Sequence, residues 1–356
     1  MAWPNVKPQD PNAVQRTLRF RLKDKHAPAL LEASRWVNFV WNYCNETAVR
    51  MFERERKFVT KVDLDRLTSG ATREGIPLHS QTIQAISAQY VQSRRQHKKV
   101  KLRWRVSRGA KRSLGWVPLK SSAIQYRQGQ FHVSGLGALS IWDSYGLHAG
   151  MRFGVAHLSE DARGRWYLNV VVTRERRILP KTGKVTGADL GLNNALSLSD
   201  GAQIEAPRSF RQYEERLAVA QRARKPGRAR AIHAKIANAR KDFLHKTSTA
   251  LVREFDAIFI GNVSSTQLAK TRMAKSVYDV AWGSLRTMTQ DKGDDAGRLV
   301  DSIDEAFSTQ DCHVCGTRCG PKGLAGLAVR QWTCVVCGTV HQRDQNSAHM
   351  IEGAGC

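Results

Sequence analysis

Thr186-Gly187-Ala188-Asp189-Leu190-Gly191-Leu192-Asn193-Asn194-Ala195-Leu196-Ser197-Leu198-Ser199 is the stretch from which the rest of this 356-residue chain can be read. A short apolar run ends at Asp189. The chain then turns through Gly191 and Asn193-Asn194, and an apolar run resumes at Ala195, Leu196 and Leu198. The pattern predicts a strand, a tight turn and a second strand. An acid at the centre of such a hairpin can point into a cleft and hold a metal ion. An isolated aspartate there is equally an ordinary turn residue, so the choice rests on residues further along the chain.

Two later features bear on it. Cys312, Cys315, Cys334 and Cys337 form a C-x2-C-x18-C-x2-C set. Four thiolates at this spacing close a tetrahedral site and point to structural Zn²⁺ with no open coordination position. Gly316 and Gly338 each follow a second cysteine, where a zinc knuckle needs a tight turn, and Trp332 is expected to pack under the ribbon. Cys44, Cys319 and Cys356 remain outside the pairs, and Cys319 is near enough to be a spare ligand. Paired spacing of this kind indicates metal binding in a reducing compartment rather than a disulfide frame. Just beyond the cysteines comes His341-Gln342-Arg343-Asp344-Gln345-Asn346-Ser347-Ala348, which supplies a second candidate acid, Asp344.

The bulk properties name a class of partner. Lys and Arg outnumber Asp and Glu by 57 to 31, for a net charge of +26. Such an excess favours a polyanion. At 41% hydrophobic residues the chain can bury real cores, and its length allows two or three domains. No run of about 18 apolar residues suggests a spanning helix, and the opening MAWPNVKPQD does not read as a signal peptide.

Residues 15–23 alternate, with Leu18, Phe20 and Leu22 on one face, as a short strand would. From Pro28 to about Phe52 the period becomes helical: Leu30, Val37, Trp41 and Cys44 share a stripe that Trp36, Phe39 and Tyr43 widen. Residues 53–80 are polar and read as loop, and Ser80 reads as the N-cap of a helix carrying Ile83, Ile86 and Tyr90. That helix runs into ten Lys or Arg among residues 94–112: Arg94, Arg95, Lys98, Lys99, Lys101, Arg103, Arg105, Arg108, Lys111 and Arg112. No acid compensates them, which favours phosphate contacts over a merely solvated face. Trp104 lies among them, to stack on a base or to anchor the segment.

From about Ser113 to Arg177 the period is two. A hairpin is expected about Gly129, and another about the turn from Glu160 to Gly164, so that a small β-barrel is predicted. Pro180-Lys181-Thr182-Gly183 is a plausible linker. After the Asp189 hairpin come two helices, about 207–224 and 228–255, broken at Pro226-Gly227 and basic on the outside, and then a strand over Ala257–Ile260.

The ordered set G-x-D-L-G, paired cysteines and R-D-x-N-x-A resembles the C-terminal half of the TnpB family, the insertion-sequence OrfB proteins. That is an RNA-guided nuclease group related to type V CRISPR effectors. The likeness covers residues 183–356 well and the N-terminal half loosely. It implies a mixed α+β and α/β multidomain fold. A β-barrel wedge domain (1–25 and 101–182) would be interrupted by a helical recognition lobe (26–100). An RNase H-like (RuvC) nuclease domain (183–311 and 339–356) would carry an inserted zinc ribbon (312–338). It also implies a structured guide RNA, a target DNA, a cytoplasmic place beside the nucleoid, and two catalytic Mg²⁺ ions held by three acids. Asp189 and Asp344 match two of them. Most of the family carries the other as a Glu at the end of the strand after the helical pair, where this chain has Gly261. The segment Ile303–Gln310 resembles a subset whose Glu has moved to this later strand. That strand is expected beside the Asp189 strand, and the role falls to Glu305, with Asp304 ranked second because it would face the other way in an extended chain. Arg343 is placed near the scissile phosphate, Asn346 near the site, and His341 in a structural role. The rival readings are an RNA-guided repressor that does not cut, a miniature type V CRISPR effector, and a guide-free DNA-binding accessory protein.

Overall fold

The computed structural model describes residues 12–147, 151–263, 277, 280–326 and 328–356, so the opening MAWPNVKPQD lies outside the described residues. The chain forms two units, Met1–Glu175 and Arg176–Cys356.

In the first unit, the alternation at Leu18, Phe20 and Leu22 becomes β1 (Ala13–Leu22). The later alternating segments become β2 (Trp116–Leu119), β3 (Ile124–Arg127), β4 (Gln130–Val133), β5 (Gly137–Trp142), β6 (Arg152–Glu160) and β7 (Trp166–Glu175). They form one seven-stranded sheet in the order β2-β6-β7-β1-β5-β4-β3, with antiparallel ladders. β1 therefore lies inside a sheet whose other strands come some ninety residues later, with the helices of this unit between them in sequence. The hairpin expected about Gly129 forms, pairing Ile124 with Val133 across a turn in which Gly129 has φ 74°. No ladder joins β2 to β3, but the Phe153 ring of β6 lies 5.8 Å from Tyr126 of β3, so the sheet curls around a core that includes Phe20, Phe131, Leu158 and Leu168.

Three helices pack on this core: α1 (Ala27–Glu55), α2 (Lys61–Leu67) and α3 (Ser80–His97). The expected stripe of α1 is buried at Leu30, Val37, Trp41 and Cys44. Phe39 and Tyr43, expected to widen it, instead face outward. The positions beside them on α1, Asn38, Asn42 and Asn45, bind other parts of the chain. The loop expected over 53–80 contains α2, whose capping box between Thr60 and Asp63 fixes its start despite its shortness. The N-cap of α3 is His79 rather than Ser80, its Nδ1 accepting from Gln81 N at 3.3 Å.

In the second unit, β8 (Val185–Asp189) and β9 (Asn194–Leu198) form the predicted hairpin. They join β10 (Gln203–Glu205), β11 (Ala257–Gly261) and β12 (Leu299–Ile303) in the order β10-β9-β8-β11-β12. The ladders β8–β11 and β11–β12 are parallel and the others antiparallel. The strand leading to Glu305 is therefore not beside the Asp189 strand: β11 lies between them, and the expected adjacency is corrected. A parallel neighbour needs a crossover, and α6 (Trp282–Ala296) packs on β12 as part of that return. The predicted helical pair appears as α4 (Ser209–Arg222) and α5 (Pro226–Glu254), with Pro226 at the start of α5, where its missing N–H costs nothing. Leu217, Ile232 and Ile236 hold the pair together. The cysteine segment carries a small hairpin, β13 (Gln331–Thr333) and β14 (Val340–Gln342), and runs directly into α7 (Arg343–Gly355). Among the described residues no helix is long and apolar enough to cross a membrane.

Candidate active site and metal centre

Asp189 ends β8, and its surroundings depend on how closely α7 approaches the sheet. A Cβ on Gly187 would overlap Ala348 O and Glu352 N of α7, so only glycine lets the helix lie directly on β8. That approach allows Ser347 Oγ to donate a 2.9 Å hydrogen bond to Asp189 Oδ1. Ser347 Oγ is also 2.7 Å from Ser308 Oγ, three residues past Glu305. Burial pushes the Asp189 carboxyl up to about 7. The Ser347 hydrogen bond and Arg343 oppose the rise, while the negative charges of Asp344 and Glu305 add to it. Two of the acids singled out in the sequence, Asp344 and Glu305, thus act on the third, Asp189.

Glu305 follows β12 by two residues. In the parallel ladder Gly261 pairs with Ile303, and a Cβ on Gly261 would overlap Glu305 Oε2 and lie 3.2 Å from Ile351 Cδ1. The Glu305 carboxylate fills the space that a side chain at the end of β11 would take. Burial pushes its pKa up; Arg286 and a hydrogen bond from the Val263 backbone oppose this, and Asp304 adds to it. Arg286 Nη2 donates to Val263 O at 3.1 Å, and Nη1 to Ser302 Oγ at 3.3 Å, bracing the two strand ends on either side of Glu305. Asp304 is exposed and accepts from Ala306 N at 3.3 Å, which closes the turn.

Asp344 lies in the first turn of α7, where the helix dipole favours an acid. Its Oδ1 accepts from Arg343 Nε at 3.0 Å and Nη2 at 2.9 Å, and its Oδ2 from Arg330 Nη1 at 3.2 Å. Arg343 also donates to Gly326 O at 3.3 Å.

The four predicted cysteines converge. Their Sγ atoms all lie within 4.8 Å of one another, a convergence that no other His, Cys, Asp or Glu group among the described residues reaches. Two tetrahedral bonds of about 2.3 Å would set sulfurs about 3.8 Å apart. The Cys312–Cys337 and Cys315–Cys334 pairs are each 3.6 Å apart, so the donor set fits a tetrahedral, thiophilic metal ion. Gly316 and Gly338 both have φ 72°, the left-handed turns expected after each second cysteine. Trp332 packs on Cys312 and Cys334 as anticipated. Cys319 Sγ lies 3.4 Å from Cys334 Sγ but outside the group of four. His341 Nε2 lies 3.1 Å from Cys312 Sγ, so this histidine is engaged at the cysteine cluster and is not free to act as a base. Asn346 Nδ2 donates to Ser308 O at 2.9 Å and Asp311 O at 2.8 Å, and its Oδ1 accepts from His313 N at 3.1 Å. Asn346 therefore ties α7 to the segment between Glu305 and the first cysteines.

A Streptomyces pristinaespiralis protein named as an RNA-guided DNA endonuclease is 30% identical over 371 aligned positions, covering 96% of this chain and 90% of that protein. The chain belongs to the TnpB family. A second relative, the Escherichia coli K12 protein InsQ, named in the same way, is 26% identical over 54% of each chain. Residues 169–272 match the OrfB family of the IS605 type, described as a probable transposase, and residues 282–351 match the family described as Cas12f1-like, TNB domain. The fold is shared with the Cas12f1 chain of a complex with sgRNA and target DNA: TM-score 0.61 at 9% identity, covering 96% of this chain and 99% of that one.

In this TnpB-family chain the ten cations of 94–112 divide into two kinds. Arg95, Lys98, Lys99, Lys101, Arg103, Arg108 and Lys111 are exposed. Arg94, Arg105 and Arg112 are not free surface charges, and the expectation that they meet phosphates is corrected. Arg94 is buried, donating to Val59 O at 2.9 Å with its guanidinium over the Phe58 ring. Arg105 donates to Asn38 Oδ1 at 2.6 Å and Leu114 O at 2.7 Å. Arg112 makes a bidentate pair with the buried Glu160 at 2.7 and 2.8 Å. Three side chains at the acid site are not singled out in the sequence: Ser347, Arg286 and Arg330. Ser347 lies inside R-D-x-N-x-A and could have been found as the residue one helical turn after Asp344. The two arginines are placed only by the fold.

Proposed function

We propose that this chain is an RNA-guided DNA endonuclease. In this reading Asp189, Glu305 and Asp344 hold two Mg²⁺ ions, and Cys312, Cys315, Cys334 and Cys337 hold a structural Zn²⁺. The observation that carries it is the Glu305 carboxylate over Gly261: a chain without the usual acid on β11 still has a carboxylate at that point. Oxygen-only donors suit Mg²⁺. An Asp189 whose pKa is raised first by burial and then by its acidic neighbours is the state that a bound dication relieves. Bound Mg²⁺ supplies activation of water and stabilisation of the leaving oxygen.

The chain's own residues do the rest. Ser347 orients Asp189, Val263 N–H orients Glu305, and Arg343 and Arg330 lie on Asp344, where they can meet the scissile phosphate. Exposed cations of residues 95–111 bind a structured guide RNA and its target heteroduplex by backbone charge and shape, while base pairing reads the target. The wedge (1–25 and 101–182), recognition lobe (26–100), RuvC (183–311 and 339–356) and ribbon (312–338) boundaries are retained as the domain assignment. A cytoplasmic place beside the nucleoid follows from a DNA target.

The test is guided cleavage. The protein is purified with its co-expressed RNA and given a matched target in Mg²⁺. Wild type cuts, whereas Asp189→Ala, Glu305→Ala and Asp344→Ala bind the target and do not cut. Cutting by Glu305→Ala at the wild-type rate overturns the site. Guided binding by wild type without any cutting overturns the nuclease and leaves an RNA-guided repressor, the reading that Gly261 taken alone would favour.

A further inference from the structure

Residues 98–115 form no helix and no strand, yet their backbone is tightly held. The holders are asparagines of α1. Asn45 Nδ2 donates to Leu102 O at 2.8 Å, and its Oδ1 accepts from Leu102 N at 2.9 Å. Asn42 makes the same two-point pair with Arg105, both bonds 2.9 Å. Asn38 Nδ2 donates to Ser107 Oγ at 3.1 Å. Each side-chain amide pairs with the N–H and C=O of one residue as a neighbouring strand would, so α1 stands in for a sheet edge. Beyond it, Val106 and Ser113 close a loop: Ser113 N donates to Val106 O at 2.8 Å, and Val106 N to Ser113 Oγ at 3.0 Å. The inward arginines Arg105 and Arg112 complete the fastening.

The fastenings are neutral amides, hydroxyls and backbone groups or arginines turned inward, and the one acid among them, Glu160, which holds Arg112 and Gly115 N, is buried. Lys101, Arg103, Arg108 and Lys111 are left outward without an acid among them. Trp104 lies in the same row, 40% exposed, with Lys101 Nζ 5.9 Å from its ring centroid. Fixing like charges in a row costs repulsion that a bound polyanion relieves. An exposed indole between fixed cations is the pairing that binds single strands: bases stack on the ring while phosphates meet the charges.

We propose that residues 98–111 are a preorganised rail for a single-stranded stretch of nucleic acid. Trp104 stacks on a base, Lys101, Arg103, Arg108 and Lys111 meet phosphates, and Asn42 and Asn45 are the positioning residues that keep the row in place. The proposal deepens the nucleic-acid reading of the proposed function and rests on it for the biological source of the strand, not for the binding itself. Holding the row in advance removes an ordering cost from binding.

The test uses the full chain with labelled single-stranded RNA, single-stranded DNA and duplex DNA oligonucleotides over a salt series. Trp104→Ala weakens single-strand binding by roughly 10- to 100-fold without changing the salt slope, Trp104→Phe restores most of it, and duplex binding is unchanged. Arg103→Ala lowers the single-strand salt slope by about 0.7. Asn42→Ala with Asn45→Ala weakens single-strand binding by more than duplex binding, while an unchanged circular dichroism spectrum and cooperative melt show that the protein is folded. Tighter binding of RNA assigns the rail to the guide, and tighter binding of DNA assigns it to a target strand. Wild-type single-strand affinity in Trp104→Ala, or equal losses on duplex and single strand, overturns the rail. Guided cutting is scored separately: a protein that never cuts but shows the Trp104 effect has lost the nuclease reading and kept the rail.

Discussion

Ser347 Oγ donates a 2.9 Å hydrogen bond to Asp189 Oδ1 across 158 residues of sequence. The bond exists because Gly187 lets α7 lie directly on β8. Among the described residues it is the link from a neutral group that stabilises the charged form of Asp189, beside the charge of Arg343. It does not outweigh burial and two neighbouring acids, so the carboxyl rests near pH 7.

This sets a pH dependence. The folded-state pKa of Asp189 is raised from 3.8 to about 7, so the fold favours the neutral acid. Without metal its contribution is favourable at low pH. It declines as pH rises from about 4, where the unfolded chain ionises, to about 7, where the folded one does. The full loss is roughly 4 kcal/mol at 1.36 kcal/mol per unit. If Asp189 holds Mg²⁺ as proposed, binding would displace the proton and offset that loss, so the rise in Tm on adding Mg²⁺ should be small at pH 5.5 and larger at pH 8. Differential scanning calorimetry at both pH values checks this, with Asp189→Asn as the control in which the pH dependence of the Mg²⁺ effect shrinks. An Mg²⁺ effect independent of pH would remove Asp189 from the metal site.

The closeness of Gly261 and Glu305 predicts a steric effect from one methyl group. Gly261→Ala drives a Cβ into the Glu305 carboxylate and tightens against Ile351. Guided cutting should fall by about 100-fold, as a displaced catalytic group costs on the order of that factor. Stability should fall by only about 1–3 kcal/mol, the usual cost of overpacking. Gly261→Glu combined with Glu305→Ala presents a carboxylate from β11 and should cut faster than Glu305→Ala alone. Single-turnover rates decide, and wild-type cutting by Gly261→Ala would show that the two positions do not share a place in the site.

Removal of the ribbon metal should disable the acid site as well as the ribbon. Cys312 follows Glu305 by seven residues, β14 runs straight into the helix that carries Asp344, and Asn346 joins both sides. A chelator selective for zinc over magnesium should expose amides of 310–342 to hydrogen exchange, leave those of β8 and β9 protected, and abolish cutting even with Mg²⁺ in excess. Zn²⁺ should restore both, since structural zinc contributes directly to folding. Full cutting by metal-stripped protein would separate the two sites.

Local patterns made much of the fold and site legible from sequence. The hairpin at Asp189, the strands of 113–177, the break at Pro226 and the glycine turns after Cys315 and Cys337 are each set by residues within a few positions of one another. Partner choice was not. Parallel pairing places β11 between β8 and β12, and no period in the sequence encodes which parallel strand is central. Leu299–Ile303 alternates weakly because it is an edge strand with much of its length exposed. Arg94, Arg105 and Arg112 looked like their seven exposed neighbours because Glu160, Asn38 and Val59, which turn them inward, are distant in sequence.

Glu305 over Gly261 also bears on how relatives of this chain are sorted. An aligned column at position 261 holds a residue with no side chain, and a survey that scores acids column by column would count the protein among those that have lost their chemistry. What this fold fills is a location above the end of β11, and in this chain the oxygen there comes from Glu305, beyond β12. Whether such a chain keeps an acid at this place is therefore better judged by asking whether any neighbouring segment covers the bare glycine than by reading position 261 alone.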